Sequence, residues 1–290
     1  MPKYQPTVEA IVAALKGSTS NIKTNLQGIF KAKRRLPVSP GEKIISALQE
    51  LTKRFGASFI AGGKKLISNG GSGYVIYLSP LNGTSLLLPR ATFSSCVVTL
   101  MQIENSETQC SIGRPICSVI YYPTGKQMWT VEKGKGVQYK DLELNTSISP
   151  ASFAGKSLPD DTIRIYLANW TKPDDQLKDI RARLNKKDNF VALNCGSTAL
   201  AAGYLLQDGN GVHGCVSTDK TAADIAALAL MMNELGGKVT DLSGQPIDGF
   251  SYAEDHTNPE DPKGEFTLPN GAILAINALV HKEIAAAITK

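Results

Sequence analysis

Tyr74-Val-Ile-Tyr-Leu-Ser-Pro-Leu-Asn-Gly-Thr84 is the stretch on which the reading of this chain turns. Tyr74 to Leu78 is β-branched, aromatic and aliphatic, the composition of a strand. Ser79-Pro80 predicts its end, because proline offers no N–H to a sheet ladder. The residues that follow, Leu81-Asn82-Gly83-Thr84, read as a turn, where Asn and Gly adopt backbone conformations that other residues avoid.

The chain on either side extends this pattern. Upstream, Ser58 to Ala61 is a short strand. Gly41 to Phe55 predicts a helix: Ile44, Ile45, Leu48 and Leu51 recur at helical spacing, Pro40 precedes it and Gly56 stops it. Residues 7–30 read as one or two helices, with Gly17 and Ser18 as a break. The glycines at 62, 63, 70, 71 and 73 lack Walker spacing and read as a loop. Downstream, Phe93 to Gln102 and Pro115 to Tyr122 are apolar runs of the kind buried in a central sheet. Gln127 to Glu132 and Val137 to Tyr139 flank a hairpin turn at Gly134-Lys135-Gly136. The Pro-bearing segment 150–159 marks a boundary between an N-terminal half, 1–150, and a C-terminal half, 151–290, within one compact unit.

Beyond that boundary strands and helices alternate. Strands are expected at 162–168, 190–193, 212–216, 238–240 and 271–276, and helices at 173–185, 198–207, 221–235 and from Ala278. Tyr252 to Asp261 is acidic and Pro-bearing and reads as a solvated loop. Alternation of this kind predicts a layered α/β protein.

Composition narrows the function classes. The chain has 290 residues, 42% hydrophobic and 20% charged, ordinary for a soluble globular protein. A net charge of +5 is too mild to imply nucleic acid, and the basic run Lys31, Lys33, Arg34, Arg35 reads as solvated surface. No targeting segment and no membrane-spanning run is evident. Cys96, Cys110, Cys117, Cys195 and Cys215 contain no close pair, which predicts buried reduced thiols and a reducing cytoplasm. His213, His256 and His281 are scattered and have no acid at a telling offset.

Four stretches, in order, resemble the inositol-monophosphatase family. Tyr74 to Thr84 is similar to that family's strand running into Asp-Pro-Ile/Leu-Asp-Gly-Thr. Pro115 to Leu144, with Ser118-Val-Ile-Tyr-Tyr and Glu132-Lys-Gly-Lys-Gly136, resembles its hairpin. Gly196-Ser-Thr-Ala-Leu-Ala-Ala looks like its "GSAAL" helix start. Ala223-Asp-Ile-Ala-Ala227, with Asn233-Glu-Leu-Gly-Gly-Lys-Val-Thr-Asp241 after it, resembles "WDxAAG…EAGGxvtD", and Gly271 to Asn277 matches the last strand. The resemblance implies a layered αβαβα sandwich of the inositol-monophosphatase/fructose-bisphosphatase type, a magnesium-dependent phosphatase ancestry, and a homodimer.

It also implies a carboxylate set that this chain lacks. The family's Glu pair falls on Ile60-Ala-Gly-Gly-Lys-Lys65, which has no acid. Ser79 and Asn82 replace the two motif aspartates, and the upstream aspartate falls on Leu36-Pro-Val-Ser-Pro40. Asp224 persists as the one metal-ligand carboxylate, beside Ala223 where the family has Trp. Thr84 is a vestigial catalytic residue without its acidic partner. Paired magnesium ions neutralise a phosphoryl group and activate water, and they need anionic oxygens to hold them. The expectation is therefore a degenerate member, leaning to pseudoenzyme, that binds a small phosphorylated ligand or a protein partner. Lys64, Lys65, Ser79, Asn82, Gly83, Thr84, Gly196, Ser197 and Asp224 are the candidate ligand contacts. No cofactor is expected beyond a weakly held Mg2+ at Asp224. Two alternatives stay open: an active phosphomonoesterase using one magnesium, and a non-catalytic dimeric scaffold.

Overall fold

The computed structural model describes residues 8–19, 40–61, 65–68, 73–82, 95–105, 111–122, 125–150, 152–153, 162–168, 174–195, 197–207, 211–218, 222–268 and 270–289. The first half supplies helices α1 (Val8–Thr19) and α2 (Pro40–Phe55). Its strands are β1 (Ser58–Ala61), β2 (Lys65–Ile67), β3 (Tyr74–Asn82), β4 (Ser95–Asn105), β5 (Ser111–Tyr122), β6 (Gln127–Glu132), β7 (Gly136–Asp141) and β8 (Thr146–Ile148). The second half supplies β9 (Ile163–Leu167), α3 (Asp175–Leu184), β10 (Phe190–Asn194), α4 (Thr198–Leu206), β11 (Gly214–Ser217) and α5 (Ala222–Glu234). It closes with β12 (Lys238–Thr240), β13 (Phe250–Asp255), β14 (Lys263–Thr267), β15 (Ala272–Ala275) and α6 (Ala278–Ile288).

Alternation along β3 sets the layers. Val75 and Tyr77 enter one core while Ile76 and Leu78 enter another. Helices α1 and α2 cover the second core with Ile11, Leu15, Ile44 and Leu48, all buried at helical spacing. On the other face lies α5. It is apolar all round because it is sandwiched between two sheets. The second sheet follows, and α3 and α6 close it from outside. The order is αβαβα, as the resemblance implies.

Among the described residues the first sheet has ten strands in the order β13-β14-β2-β1-β3-β4-β5-β6-β7-β8, and the second has five, β10-β9-β11-β15-β12. β1 runs parallel to β3. β13 and β14, from the second half of the chain, pair with β5 and β2 and so extend the first sheet. Side-chain caps start two helices. Asp174 accepts the Leu177 N–H at 2.7 Å, and Asn277 accepts the Val280 N–H at 2.8 Å.

Several local expectations change. β3 continues through Ser79-Pro80 to Asn82, because the β3–β4 register shifts between Ser79 and Asn82 and frees Pro80 from the ladder. α1 runs through Gly17. The segment read as an acidic loop begins as β13, although Glu254, Asp255, Glu260 and Asp261 are exposed as expected. Cys96, Cys117, Cys195 and Cys215 are buried free thiols; Cys110 lies outside the described residues. Burial pushes the Cys117 thiol up to about 12. Among the described residues no helix is long and apolar enough to cross a membrane.

Candidate functional site

The strand ends of the first sheet and the N-termini of α4 and α5 converge. Ser79, half-buried near the end of β3, pairs with Val97 of β4, and Asn82 pairs with Ser95. Val97 belongs to the core shared with α5, so strand alternation places Ser79 and Ser95 on that same face. Helix α5 packs across β3, β4 and β5, and Asp224 sits in its first turn. An acid in a first helical turn is favoured by the helix dipole.

Two perturbed groups locate Asp224 relative to the strands. Burial, then the Asp224 carboxylate, raises the Cys96 thiol of β4. Burial, then Cys195 and more weakly Asp224, raises the Tyr122 phenol at the end of β5. Asp224 therefore lies within electrostatic reach of Cys96 at the start of β4 and Tyr122 at the end of β5. Tyr122 is also the link to α4, since its hydroxyl donates to the Ala199 carbonyl at 2.6 Å. Ser197 is buried just ahead of that helix, and its carbonyl accepts from the Ala201 N–H at 3.1 Å and from the Cys195 thiol at 3.3 Å.

Lys65 is exposed on β2, opposite Ala61 of β1, and Ala61 pairs with Leu78. Two strand spacings thus separate the Lys65 backbone from β3, roughly 10 Å. Ser79 and the Asn82 backbone thus lie at the end of β3, Ser197 and Asp224 at the starts of α4 and α5, and Lys65 two strands away from β3. Lys64, Gly83, Thr84 and Gly196 lie outside the described residues, as do the basic run 31–35 and residues 36–39.

Two residues at this end escape sequence reasoning. Ser95 is fully buried, and its hydroxyl has no partner among the described residues. A serine at the head of an apolar strand carries no local signal. Tyr122 likewise reads as one more apolar strand residue, and only its contact with α4 gives it a place here.

The donor set can be tested against the metal the family implies. By residue type Ser79 is a hydroxyl, Asn82 a carboxamide and Asp224 a carboxylate, so one of the three is anionic. Magnesium prefers near-octahedral hard oxygen ligands, and a two-ion clamp needs several anionic ones. By residue type these three bring one anionic donor. Among the described residues no three His, Cys, Asp or Glu side chains converge as metal ligands would.

Comparison with known proteins agrees with this architecture. An inositol-1-monophosphatase of Mesorhizobium japonicum is 25% identical over 288 residues, covering 94% of this chain and 89% of that one. The extragenic suppressor protein suhB of Bartonella henselae superposes with a TM-score of 0.70 at 20% identity, over 97% of this chain and 98% of that one. A calcium-bound inositol-monophosphatase-family protein of Staphylococcus aureus gives 0.68 at 16% identity, over 98% and 96%. At such identities the structural matches speak for the fold. Residues 110–290 match the inositol monophosphatase family directly, and that span is more than half of the sequence. By that match, the chain belongs to the inositol monophosphatase family.

Proposed function

We propose that this chain binds a phosphorylated small molecule at the end of β3, beneath the first turn of α5, and hydrolyses it slowly or not at all. The observation that carries the reading is the donor set: Ser79 and Asn82 stand where the resemblance implies aspartates, leaving Asp224 as the acid. Loss of those charges shifts the local potential toward positive, and Lys65 with its neighbour Lys64 adds to the shift. A lysine ammonium holds phosphate as a point charge but cannot supply an activated water. Asn82 and Thr84 are neutral donors that need no metal. Binding without turnover is the expected balance of those two facts. The experiment is a paired one, with calorimetry against inositol monophosphate in EDTA and a phosphatase assay with magnesium. Metal-dependent turnover abolished by Asp224→Ala would establish the alternative, a one-metal phosphomonoesterase.

A further inference from the structure

Tyr122 reaches out of the first sheet into the backbone of α4. It is buried at the end of β5, and its hydroxyl donates to the Ala199 carbonyl at 2.6 Å. The Gly203 backbone N–H lies against the same oxygen. Ala199 and Gly203 stand four apart, the pair whose carbonyl and N–H an α-helix joins. The phenol therefore engages one rung of the α4 ladder from the side. A Cβ at 203 would lie 2.7 Å from the hydroxyl oxygen, so glycine makes the room. The arrangement runs against local preference twice. Glycine is a poor residue inside a helix, and a buried hydroxyl needs a partner that a phenylalanine ring would not. Phenylalanine at 122 with alanine at 203 would keep the apolar packing without either demand. Departures of this kind gather where a sequence serves function rather than stability.

What the contact holds is the head of α4. The ladder of that helix begins with the Ala201 N–H on the Ser197 carbonyl, and Ala199 lies inside this first turn. Peptide units are planar, so a fixed Ala199 carbonyl fixes the orientation of the first turn and of Ser197 ahead of it. The same hydroxyl lies near the head of α5. After burial, the groups that raise the phenol include Cys195, just before Ser197 in the chain, and Asp224 in the first turn of α5. Helices α4 and α5 also pack on one another. Both helix heads, each with a candidate ligand contact, thus lie within reach of one buried side chain.

We propose that Tyr122 is a positioning residue for the ligand site: its hydroxyl holds the head of α4 so that Ser197 stands at a set distance from Asp224 around the bound phosphoryl group. The proposal rests on the ligand reading above, and the experiment separates the two. Inositol monophosphate is titrated calorimetrically, in EDTA, into the full chain and into Tyr122→Phe, Gly203→Ala and Ile284→Val, with urea unfolding to show that each is native. Tyr122→Phe should raise the Kd about tenfold. Gly203→Ala pushes on the same contact from the helix side and should raise it comparably, and it decides the matter if Tyr122→Phe does not fold. Ile284→Val is the control: it trims a buried side chain of α6, outside the second sheet, and so lowers stability without touching the contact. Its Kd should match the parent's, whereas a role of Tyr122 confined to stability predicts one affinity for every folded variant. No binding by the parent overturns the ligand reading and this proposal together. Parental affinity in either Tyr122→Phe or Gly203→Ala, or an equal loss in Ile284→Val, overturns this proposal alone.

Discussion

Glu234 clamps Gly136: its carboxylate accepts the Gly136 backbone N–H at 3.0 Å, and its other oxygen accepts that of Gly134 at 2.9 Å. Both glycines have positive φ, 76° and 80°, which turns their N–H groups toward one acceptor. Glu234 ends α5, and Asp224 begins it. The turn thus anchors the helix that carries Asp224. Glu234→Ala should lower the unfolding free energy by about 1–3 kcal/mol, and Glu234→Gln by less, because an amide keeps one acceptor. Urea midpoints measure both. An unchanged midpoint for the Ala variant would mean that water replaces the carboxylate at no cost.

Gly203 holds α4 against Tyr122. A Cβ there would lie 2.7 Å from the Tyr122 hydroxyl oxygen and 3.2 Å from Cζ. Alanine ordinarily gains about 1 kcal/mol over glycine in a helix. Here the crowding, at about 1–3 kcal/mol, and the strained Tyr122–Ala199 hydrogen bond outweigh that gain. Gly203→Ala should therefore destabilise the protein. Adding Tyr122→Phe, which removes the crowding oxygen, should recover part of the loss, and thermal unfolding of the single and double variants reads the coupling.

Two histidines of the second layer are biased toward the neutral form. His213 Nδ1 accepts the Arg164 N–H at 3.0 Å. The Thr240 hydroxyl donates to the Asp241 carbonyl at 2.8 Å, so its oxygen accepts from His281 Nε2 at 2.7 Å. Burial lowers both imidazoles, helped by Arg164 at His213 and by Lys238 at His281. The unfolded chain takes up these protons near pH 6.5 while the folded chain resists until lower pH, at about 1.4 kcal/mol per unit of difference. Stability should hold above about pH 6.5 and fall as the pH drops toward 5. His213→Asn with His281→Gln keeps an acceptor at 213 and a donor at 281 without titration and should flatten that slope in urea unfolding. A parent profile that is already flat over this range contradicts the assignment.

Magnesium should bind poorly. Calorimetric titration is expected to show no stoichiometric two-ion isotherm at sub-millimolar metal, because one carboxylate cannot hold two hard cations. Inositol monophosphate hydrolysis should sit near background. Trace activity unchanged in Asp224→Ala is contamination, whereas a clear two-ion isotherm refutes the reading of the donor set.

The anion site makes a separate demand. Inositol monophosphate should bind in EDTA, and Lys64→Ala with Lys65→Ala should weaken it by about tenfold, the size expected for losing charge-assisted contacts. Raising the salt should weaken the parent more than the double variant. Equal affinities in parent and double variant would remove the lysines from the site.

Much of the architecture was legible because it is written in local patterns. Ile44, Leu48 and Leu51 mark one face of α2, and Gly134 and Gly136 mark a hairpin. The apolar run from Pro115 to Tyr122 reads as a buried strand without reference to any partner. Less was legible where pairing decides. Lys65–Ile67 and Thr146–Ile148 are three residues each, too short to show a period, and they are strands because β1 and β7 accept them. Phe250–Asp255 is polar on its outer side and became β13 through contacts with β5, more than a hundred residues away in the chain.

The sequence by itself determined the longer strands and helices, the family, and that Ser79 and Asn82 are neutral residues, since identity at a position needs no coordinates. Only the tertiary structure decided which groups share a space. It joined Glu234 to Gly134 and Gly136, put Asp224 within reach of Cys96 and Tyr122, and left the Ser95 hydroxyl and Trp129 indole buried without partners among the described residues. The reason is physical. Periodicity and propensity act over a few residues, whereas burial and hydrogen-bond satisfaction depend on which distant strand or helix end closes over each side chain.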